Sequence, residues 1–234
     1  MVRFIPIIVL LVSGCAQHSI QVVENADPVL RRTQTMRWRN LNEIEPIAFG
    51  KYRVASPDKR RTTNDGRTIG LTSTDINKVR REGGVDFELE SNGVTVAQVS
   101  ARTRRKAKRL RTKVANISYS SDDLLDGTIA LASGQQAEFA ISEFHSRSPT
   151  AKASGTVQIG SHKLTMRELD APLIHQSKGF AGAEFFYGDQ RVGQVIRTGD
   201  EHVWVDDQLP VDVQSAVAAI SATLLITERL ELDP

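Results

Sequence analysis

The strongest chemical signal in the chain is a run of cations between Arg102 and Lys113. Like charges at this density repel one another and cannot be desolvated together, so we expect the run to be exposed. Its field attracts anions, and each cation held near an anionic surface contributes about 1 kcal/mol of binding. The alternative interpretation is a solvated loop or a long strand extension whose charge serves only solubility. None of the twelve residues is acidic, and eight are candidate anion contacts: Arg102, Arg104, Arg105, Lys106, Lys108, Arg109, Arg111 and Lys113.

The composition of this run favours some anionic partners over others. The phosphates of phospholipid or lipopolysaccharide, an acidic envelope protein and an acidic polysaccharide all suit it. Nucleic acid is not expected, because no aromatic residue interleaves the run to stack bases and because the N-terminus predicts export.

Histidine and glycine motifs for catalysis or metal binding are absent from the sequence. No Gly-x-Ser-x-Gly motif provides a serine nucleophile, and Arg81–Gly84 is typical of a turn, not of a phosphate-binding loop. We therefore predict no metal site and no cofactor. The histidines lack the paired spacing that brings two imidazoles to one helix face: His18, His145, His162, His175 and His202.

Carboxylates occur in close pairs at Asp122-Asp123, at Asp206-Asp207 and at Glu228 with Glu231. Such pairs are common at solvated turns and helix ends, and their spacing does not show that they converge on a substrate. We predict that Asp206-Asp207 forms the turn that leads the last strand into the following helix. The chain is expected not to be an enzyme. The alternative is an envelope enzyme that uses dispersed Asp, Glu and His residues.

The single cysteine, Cys15, ends the run Val12-Ser13-Gly14-Cys15 behind the apolar stretch Phe4–Val12. Nine apolar residues suit a signal peptide, whereas a transmembrane helix needs about 20. Small residues directly before a cysteine resemble the lipobox of bacterial lipoproteins. The resemblance implies removal of residues 1–14 as a signal peptide and acylation of Cys15, which makes the membrane a partner of the chain. The mature domain would then have no thiol for a disulfide, a metal site or a nucleophile.

The residue after Cys15 and the polar segment that follows it indicate to which membrane the domain is attached and by what kind of linker. The residue that follows Cys15 is Ala16 and not an aspartate. In the bacterial lipoproteins that the N-terminus resembles, this favours location in the outer membrane. We expect an outer-membrane lipoprotein of the bacterial envelope that faces the periplasm. Residues 15–43 are polar and predict a lipidated N-terminus with a tether, although Val29–Leu41 could instead form a short helix on the domain.

Residues 44–234 have the pattern of one β-rich domain. Val85–Glu90 and Val94–Val99 alternate in polarity around Asn92-Gly93, which is the strongest short-range hairpin signal. A second hairpin is predicted over Ala183–Arg197, with its turn at Gly188-Asp189. Further short strands are predicted at Ile47–Val54, Thr128–Ala132, Glu138–Phe144, Gly155–Ile159, Lys163–Arg167 and His202–Asp206.

The C-terminal segment predicts a helix over residues 210–228. Pro210 suits a first helical position, and Asp212 faces the positive end of the helix dipole. The segment is apolar on nearly all sides, as in a buried helix. Its uncharged part, Val213–Thr227, would rise only about 22 Å, less than the roughly 30 Å of a bilayer core. Burial in protein is therefore expected.

The hairpin Glu184–Val195, the strand His202–Asp206 and the Ala-rich C-terminal helix together resemble the tubby C-terminal-like fold, to which phospholipid scramblases belong. The resemblance implies an antiparallel barrel around a hydrophobic helix. Tubby-like proteins can bind phosphoinositide headgroups in a cationic pocket, but no motif transfers those residues to this chain. The expected fold class is mainly β, an antiparallel barrel or sandwich with a buried apolar C-terminal helix.

Overall fold

The computed structural model describes residues 47–71, 74–112, 116–143, 152–169, 180–196 and 202–231. For residues 59–79, 107–122 and 228–231 within these ranges, it describes the backbone but not the side chains. Cys15, the tether and Lys113 therefore lie outside the described residues. Within these residues, eleven strands form one antiparallel sheet in sequence order, and helix α1 (Val211–Glu231) follows them. The strands are β1 (Ala48–Phe49), β2 (Tyr52–Leu71), β3 (Thr74–Ser91), β4 (Val94–Thr112), β5 (Asn116–Leu131), β6 (Gln136–Ser142), β7 (Ser154–Ile159), β8 (His162–Glu168), β9 (Gly182–Tyr187), β10 (Gln190–Ile196) and β11 (His202–Val205).

The sheet curls into a nearly closed barrel, and α1 packs against its inner face. The helix contacts β3, β4, β5, β7, β10 and β11. This confirms the predicted mainly β class, and the barrel is observed instead of the sandwich.

Helix α1 is buried because it has no polar side to turn toward water. Every residue from Val213 to Thr227 is buried. The helix begins at Val211, directly after Pro210, and ends three residues beyond the predicted position 228. The buried hydroxyls of Ser221, Thr223 and Thr227 donate to the carbonyl four residues earlier, as Ser221 does to Val217 O at 2.8 Å. These three hydroxyls therefore have hydrogen-bond partners inside the core, and the helix can lie at the centre of the barrel without leaving them unsatisfied.

Both predicted hairpins are confirmed. Asn92 and Gly93 have φ values of 51° and 82°, the positive values that a type I′ turn requires, and they join β3 to β4. Tyr187 pairs with Gln190 across the β9–β10 turn. In β10 the register shifts between Arg191 and Gly193, which forms a bulge where the strand passes close to α1.

Two strand predictions near the N-terminal end of the domain are wrong. The run Ile47–Val54 is not one strand, because Gly50 and Lys51 form a turn between β1 and β2. Strands β2 to β5 are also much longer than the short strands expected, at 20, 18, 19 and 16 residues. A register shift between Ala55 and Asp58 accommodates Pro57 inside β2.

The long strands continue past the barrel as a four-stranded arm, made of residues 63–71, 74–82, 104–112 and 116–124. The pairing of β5 with β6 stops at Leu124 and Ser142, so within the described residues no strand accompanies β5 along the arm. Nine residues at about 3.4 Å each give an arm of about 30 Å. The cationic run lies on this arm from Arg104 to Arg111, and of the two settings considered for it, the structure shows a long strand extension and not a loop.

The first and last strands do not pair with each other within the described residues, and a side-chain network crosses the seam between them. Gln214 of α1 donates to the carbonyl oxygens of Asp207, at 3.0 Å, and of Leu209, at 2.7 Å. Its Oε1 accepts a hydrogen bond from Lys51 Nζ at 3.1 Å, in the β1–β2 turn. The helix therefore links both edges of the sheet.

Tyr52 lies beside this seam and gives the domain a titratable core residue. It is 4% exposed, and its hydroxyl is hydrogen-bonded to Ser215 of α1. Burial raises the pKa of Tyr52 from 10.0 to about 12, while the hydrogen bond to Ser215 opposes the rise. The folded protein therefore holds this phenol neutral at a pH where the unfolded chain ionises it.

The raised pKa of Tyr52 predicts a loss of stability at alkaline pH. The unfolded tyrosine ionises near pH 10, so its contribution is complete below that pH and falls as the pH approaches 12. Two pKa units correspond to about 3 kcal/mol. Between pH 9 and pH 11.5, urea unfolding should show about 2 kcal/mol of this loss in wild type and none of it in Tyr52→Phe. Tyr187→Phe, at an exposed position, should behave as wild type; equal losses in all three proteins would contradict the assignment.

Candidate anion-binding surface

Strand alternation brings the first cations of the run to one face of β4. Arg102, Arg104 and Lys106 are exposed on the outer face, whereas Ala101 and Thr103 between them are buried toward the core. Residues two apart on a strand are separated by about 7 Å. The exposure expected from the sequence is therefore found for these three side chains, and their spacing reduces their mutual repulsion.

Arg105 differs from its neighbours because it points to the inner face. Its Nε lies 3.5 Å from Oδ1 of Asp123, whose side chain is 3% exposed. A carboxylate this deeply buried needs a positive partner, so Arg105 balances charge within the sheet. The expectation that the whole run is exposed is wrong for Arg105, which is half-buried.

The outer face also includes Arg80 of β3, which the sequence analysis did not select. The register pairs Arg80 with Lys106, and the Arg80 side chain is 60% exposed. Arg80 Nε donates to Glu82 Oε1 at 2.8 Å, and Arg104 Nη2 lies 3.0 Å from Asp126 Oδ1. We call Arg80, Arg102, Arg104 and Lys106 the cationic face.

Among the described side chains, four cations on this face stand beside two carboxylates, and the register places Asp122 opposite Lys106 as a third, so the local charge of the face is still positive. Exposed ion pairs of this kind contribute about 1 kcal/mol or less, so an incoming anion can replace the carboxylates at little cost. Four cations line a cleft of about 400 Å³ together with two carboxylates and Ser142; the charged lining residues are Arg80, Arg104, Arg105, Lys106, Asp123 and Glu143. The arrangement can accept a phosphate or carboxylate group between several donors.

The remaining residues of the run lie farther along the arm. Lys108, Arg109 and Arg111 occupy β4 opposite Lys78, Asn77 and Asp75 of β3. In sequence, the arm contains ten cations and five carboxylates, a formal charge of +5, whereas the full chain carries +2. The rest of the chain is therefore net negative, and the positive charge is concentrated on the arm.

A second, larger cleft lies on the outer face of β4 to β8, with a volume of about 550 Å³. Its polar lining includes Arg102, Asp126, Glu138, Gln158 and Lys163. Gly127 forms part of its floor, and a methyl group there would lie 2.7 Å from the Phe139 ring. The cleft adjoins the cationic face through Arg102 and was not visible from sequence, because its residues come from five strands.

Other residues considered from sequence are dispersed. His162 Nδ1 lies 3.0 Å from the Tyr187 hydroxyl oxygen, between β8 and β9, which are not part of the arm. Asp206 Oδ1 accepts the backbone N–H of Gln208 at 2.9 Å, which confirms the predicted turn before the helix. The side chains of Asp122, Glu228 and Glu231, and all of His18, His145 and His175, lie outside what the structure describes.

Within the described residues, no three His, Cys, Asp or Glu side chains are grouped closely enough to hold a metal ion. In the same part of the chain, no helix has the length and apolar character needed to cross a bilayer. Comparison with family models, with curated proteins and with solved structures finds no match to this chain.

Proposed function

We propose that the protein is an acylated lipoprotein of the bacterial envelope whose β domain binds an anionic partner through the cationic face. The observation that carries this proposal is the placement of Arg102, Arg104 and Lys106 beside Arg80 on one exposed surface. Cations that served only solubility would not need to be collected on one arm while the rest of the chain is net negative. The role is that of a binding or structural protein and not of a catalyst.

The anchor is proposed from the N-terminal residues alone. The lipobox-like Val12–Cys15 supports acylation of Cys15 and attachment to the outer membrane, with the domain in the periplasm. Acyl chains on Cys15 would attach the domain to the membrane, and a basic surface would strengthen that attachment by electrostatic attraction to anionic lipid. The nearly closed barrel around a C-terminal helix is consistent with the tubby-like resemblance, which we include in the proposal.

Neutralising the cationic face should weaken anion binding. The variant Arg102→Gln, Arg104→Gln, Lys106→Gln removes about 1 kcal/mol per cation, so affinity for phosphatidylglycerol vesicles or immobilised lipopolysaccharide should fall about 100-fold. The wild-type interaction should also weaken as salt is raised. Co-sedimentation and surface-binding measurements at two salt concentrations test both effects.

A matched control removes the same charge from other surfaces. Arg53, Lys152 and Arg167 are exposed and lie off the arm. Changing all three to Gln should leave anion affinity near the wild-type value. Equal weakening in the two triple variants would show that only net charge matters, and unchanged retention of the first variant would remove the cationic face as the binding surface.

Substituting Cys15 should test the anchor independently. In Cys15→Ser the thiol that would receive the acyl chain is absent, so the protein should lose acylation and move from the membrane fraction to the soluble fraction. Mass spectrometry of the N-terminus and fractionation at high salt measure the two effects, the salt removing any electrostatic attachment. A Cys15→Ser protein that stays in the membrane fraction at high salt would contradict the anchor.

A further inference from the structure

The cleft on the outer face of β4 to β8 is lined by polar side chains from two adjoining rows of the sheet. The register places Arg102, Asp126, Ala140 and Thr156 opposite one another in the first row, across β4 to β7. Residues opposite one another in adjacent strands share a face of the sheet, and both rows line the cleft. The second row lies two residues farther from the arm along each strand and contains Ser100, Thr128, Glu138, Gln158 and Lys163.

Three charged side chains of this cleft can engage a ligand without first losing a protein partner. Arg102, Glu138 and Lys163 are exposed. In the part of the chain that the structure describes, their side chains form no ion pair and no hydrogen bond. Asp126 differs, because its Oδ1 lies 3.0 Å from Arg104 Nη2. The guanidinium and ammonium groups can only donate hydrogen bonds, and the carboxylate of Glu138 can only accept them.

The rest of the lining favours a ligand that is rich in hydroxyl groups. Thr128, Thr156 and Gln158 can each donate and accept hydrogen bonds. The methyl group of Ala140 is the only exposed apolar side chain among the lining residues that the structure describes. Each hydroxyl of a sugar also donates and accepts, so a carbohydrate can satisfy this mixed lining. An acyl chain would instead desolvate the polar groups without replacing their hydrogen bonds with water.

The length and charge of the cleft indicate that this carbohydrate is acidic. Strands β4 and β8 are four strand spacings apart, so Arg102 and Lys163 lie at opposite ends of the cleft, roughly 19 Å apart across the sheet. The volume of about 550 Å³ is typical of a ligand site. Because Arg102 also belongs to the cationic face, a ligand chain that leaves the cleft on this side continues along Arg104 and Lys106.

We propose that the cleft and the cationic face together bind one chain of an acidic polysaccharide. Its hydroxyls contact Glu138, Gln158 and the two threonines, and its acidic groups contact Arg102 and Lys163. This rests on the proposed function and identifies its anionic partner as a glycan. Binding therefore depends on the shape of the cleft and on the hydroxyls of the ligand, as well as on charge attraction.

Two anionic oligomers test the requirement for sugar hydroxyls. Oligogalacturonate has a carboxylate and free hydroxyls on every unit, whereas oligoglutamate of equal charge has the carboxylates without the hydroxyls. In fluorescence anisotropy with the full chain and labelled oligomers, oligogalacturonate should bind about tenfold more tightly. Equal affinities for the two oligomers would overturn the glycan as the partner.

Ala140 allows the cleft to be filled while every charge stays in place. It is exposed in the first row of the cleft, and isoleucine suits an exposed position in a strand. Ala140→Ile should lower the affinity for oligogalacturonate about tenfold and leave the affinity for oligoglutamate unchanged. Ala130→Ile makes the same change at an exposed position of β5 outside the cleft and should bind as wild type does. Equal effects of the two substitutions would overturn the cleft as the site.

Glu138 separates glycan binding from charge attraction by the sign of its effect. Glu138→Gln removes a negative charge, so attraction of an anion alone would become stronger. A carboxylate accepts hydrogen bonds from sugar hydroxyls more strongly than an amide does, so the affinity for oligogalacturonate should instead fall about fivefold. Glu90→Gln, at a partly exposed position of β3 outside the cleft, should not lower it. Tighter binding by Glu138→Gln would contradict the proposal.

The outcomes separate this inference from the proposed function. Loss of binding in the triple Gln variant of the cationic face, with no effect of Ala140→Ile or Glu138→Gln, would overturn the glycan site and leave the cationic face intact. Binding to phosphatidylglycerol vesicles but not to oligogalacturonate would overturn the glycan as partner and keep the function. Binding to neither the vesicles nor the two oligomers would remove both.

Discussion

Replacing Ile220 by aspartate should prevent the domain from folding. Ile220 lies in the middle of α1 with 0% exposure, inside the barrel. The substitution removes about 2–3 kcal/mol of apolar burial and adds several kcal/mol for a desolvated carboxylate. Natural domains are stable by only about 5–15 kcal/mol, so the sum removes most or all of the free energy of unfolding. Circular dichroism and urea titration of the purified protein measure the result.

The same helix provides a matched control for this prediction. Val211 is 71% exposed in the first turn, where a carboxylate is favoured by the helix dipole. Val211→Asp makes a comparable change of side chain in the same element, and its midpoint of urea unfolding should match wild type or rise slightly. A folded Ile220→Asp protein with a near-native midpoint would show that α1 is not at the core of the barrel in solution.

Adding one methyl group at Gly193 should have the second-largest effect. A Cβ there would lie 2.7 Å from Val217 Cγ1 of α1 and 3.3 Å from Phe185 Cδ2. Neither neighbour is a flexible chain end, so either β10 or the helix must move. Overpacking of this kind costs about 1–3 kcal/mol, and Gly193→Ala should lower the unfolding midpoint by the corresponding amount.

A double-mutant cycle identifies the contact responsible for that cost. Val217→Ala removes the Cγ1 atom and, as a buried deletion, costs about 1–3 kcal/mol by itself. In the protein with both changes, the new methyl group occupies space that Val217 has left. The combined loss should therefore be smaller than the sum of the single losses by at least about 1 kcal/mol. Additive losses would mean that the strain at Gly193 comes from other atoms.

Local signals in the sequence were sufficient to predict both hairpins and the helix. Asn92-Gly93 encodes its turn within two residues, and the uncharged stretch from Val213 to Thr227 has no polar side to expose, so neither needs tertiary information. The structure confirms that the C-terminal helix is buried in a β-rich domain, as its lack of a polar side predicts.

The length of β2 to β5 could not be predicted because it depends on pairing between strands. Residues 57–84 contain Pro57, Gly66, Gly70 and two further glycines, which interrupt the local β pattern. The described part of this segment is in strands because β2 pairs with β3, and β3 with β4, over a long register in which bulges absorb residues such as Pro57. Strand propensity alone therefore ends these elements too early.

Only part of the cationic face could be predicted from the sequence, again because pairing between strands decides which residues lie together. Charge density along β4 was enough to select Arg102, Arg104 and Lys106. It could not separate Arg105, whose role depends on Asp123 of a neighbouring strand, and it could not include Arg80, which the register places beside Lys106. A surface formed by several strands is defined by pairing across them, and that pairing is not encoded locally.

The seam network has a consequence for the order of folding. Lys51 and Gln214 are 163 residues apart, so the contact that joins the two edges of the sheet needs nearly the whole domain to be available. The helix at the centre of the barrel is also the last element in the chain. Strands made early therefore have no core to pack on until the C-terminus arrives, and such long-range topologies fold slowly. The core of the barrel can therefore form only after α1, which follows all eleven described strands, has become available.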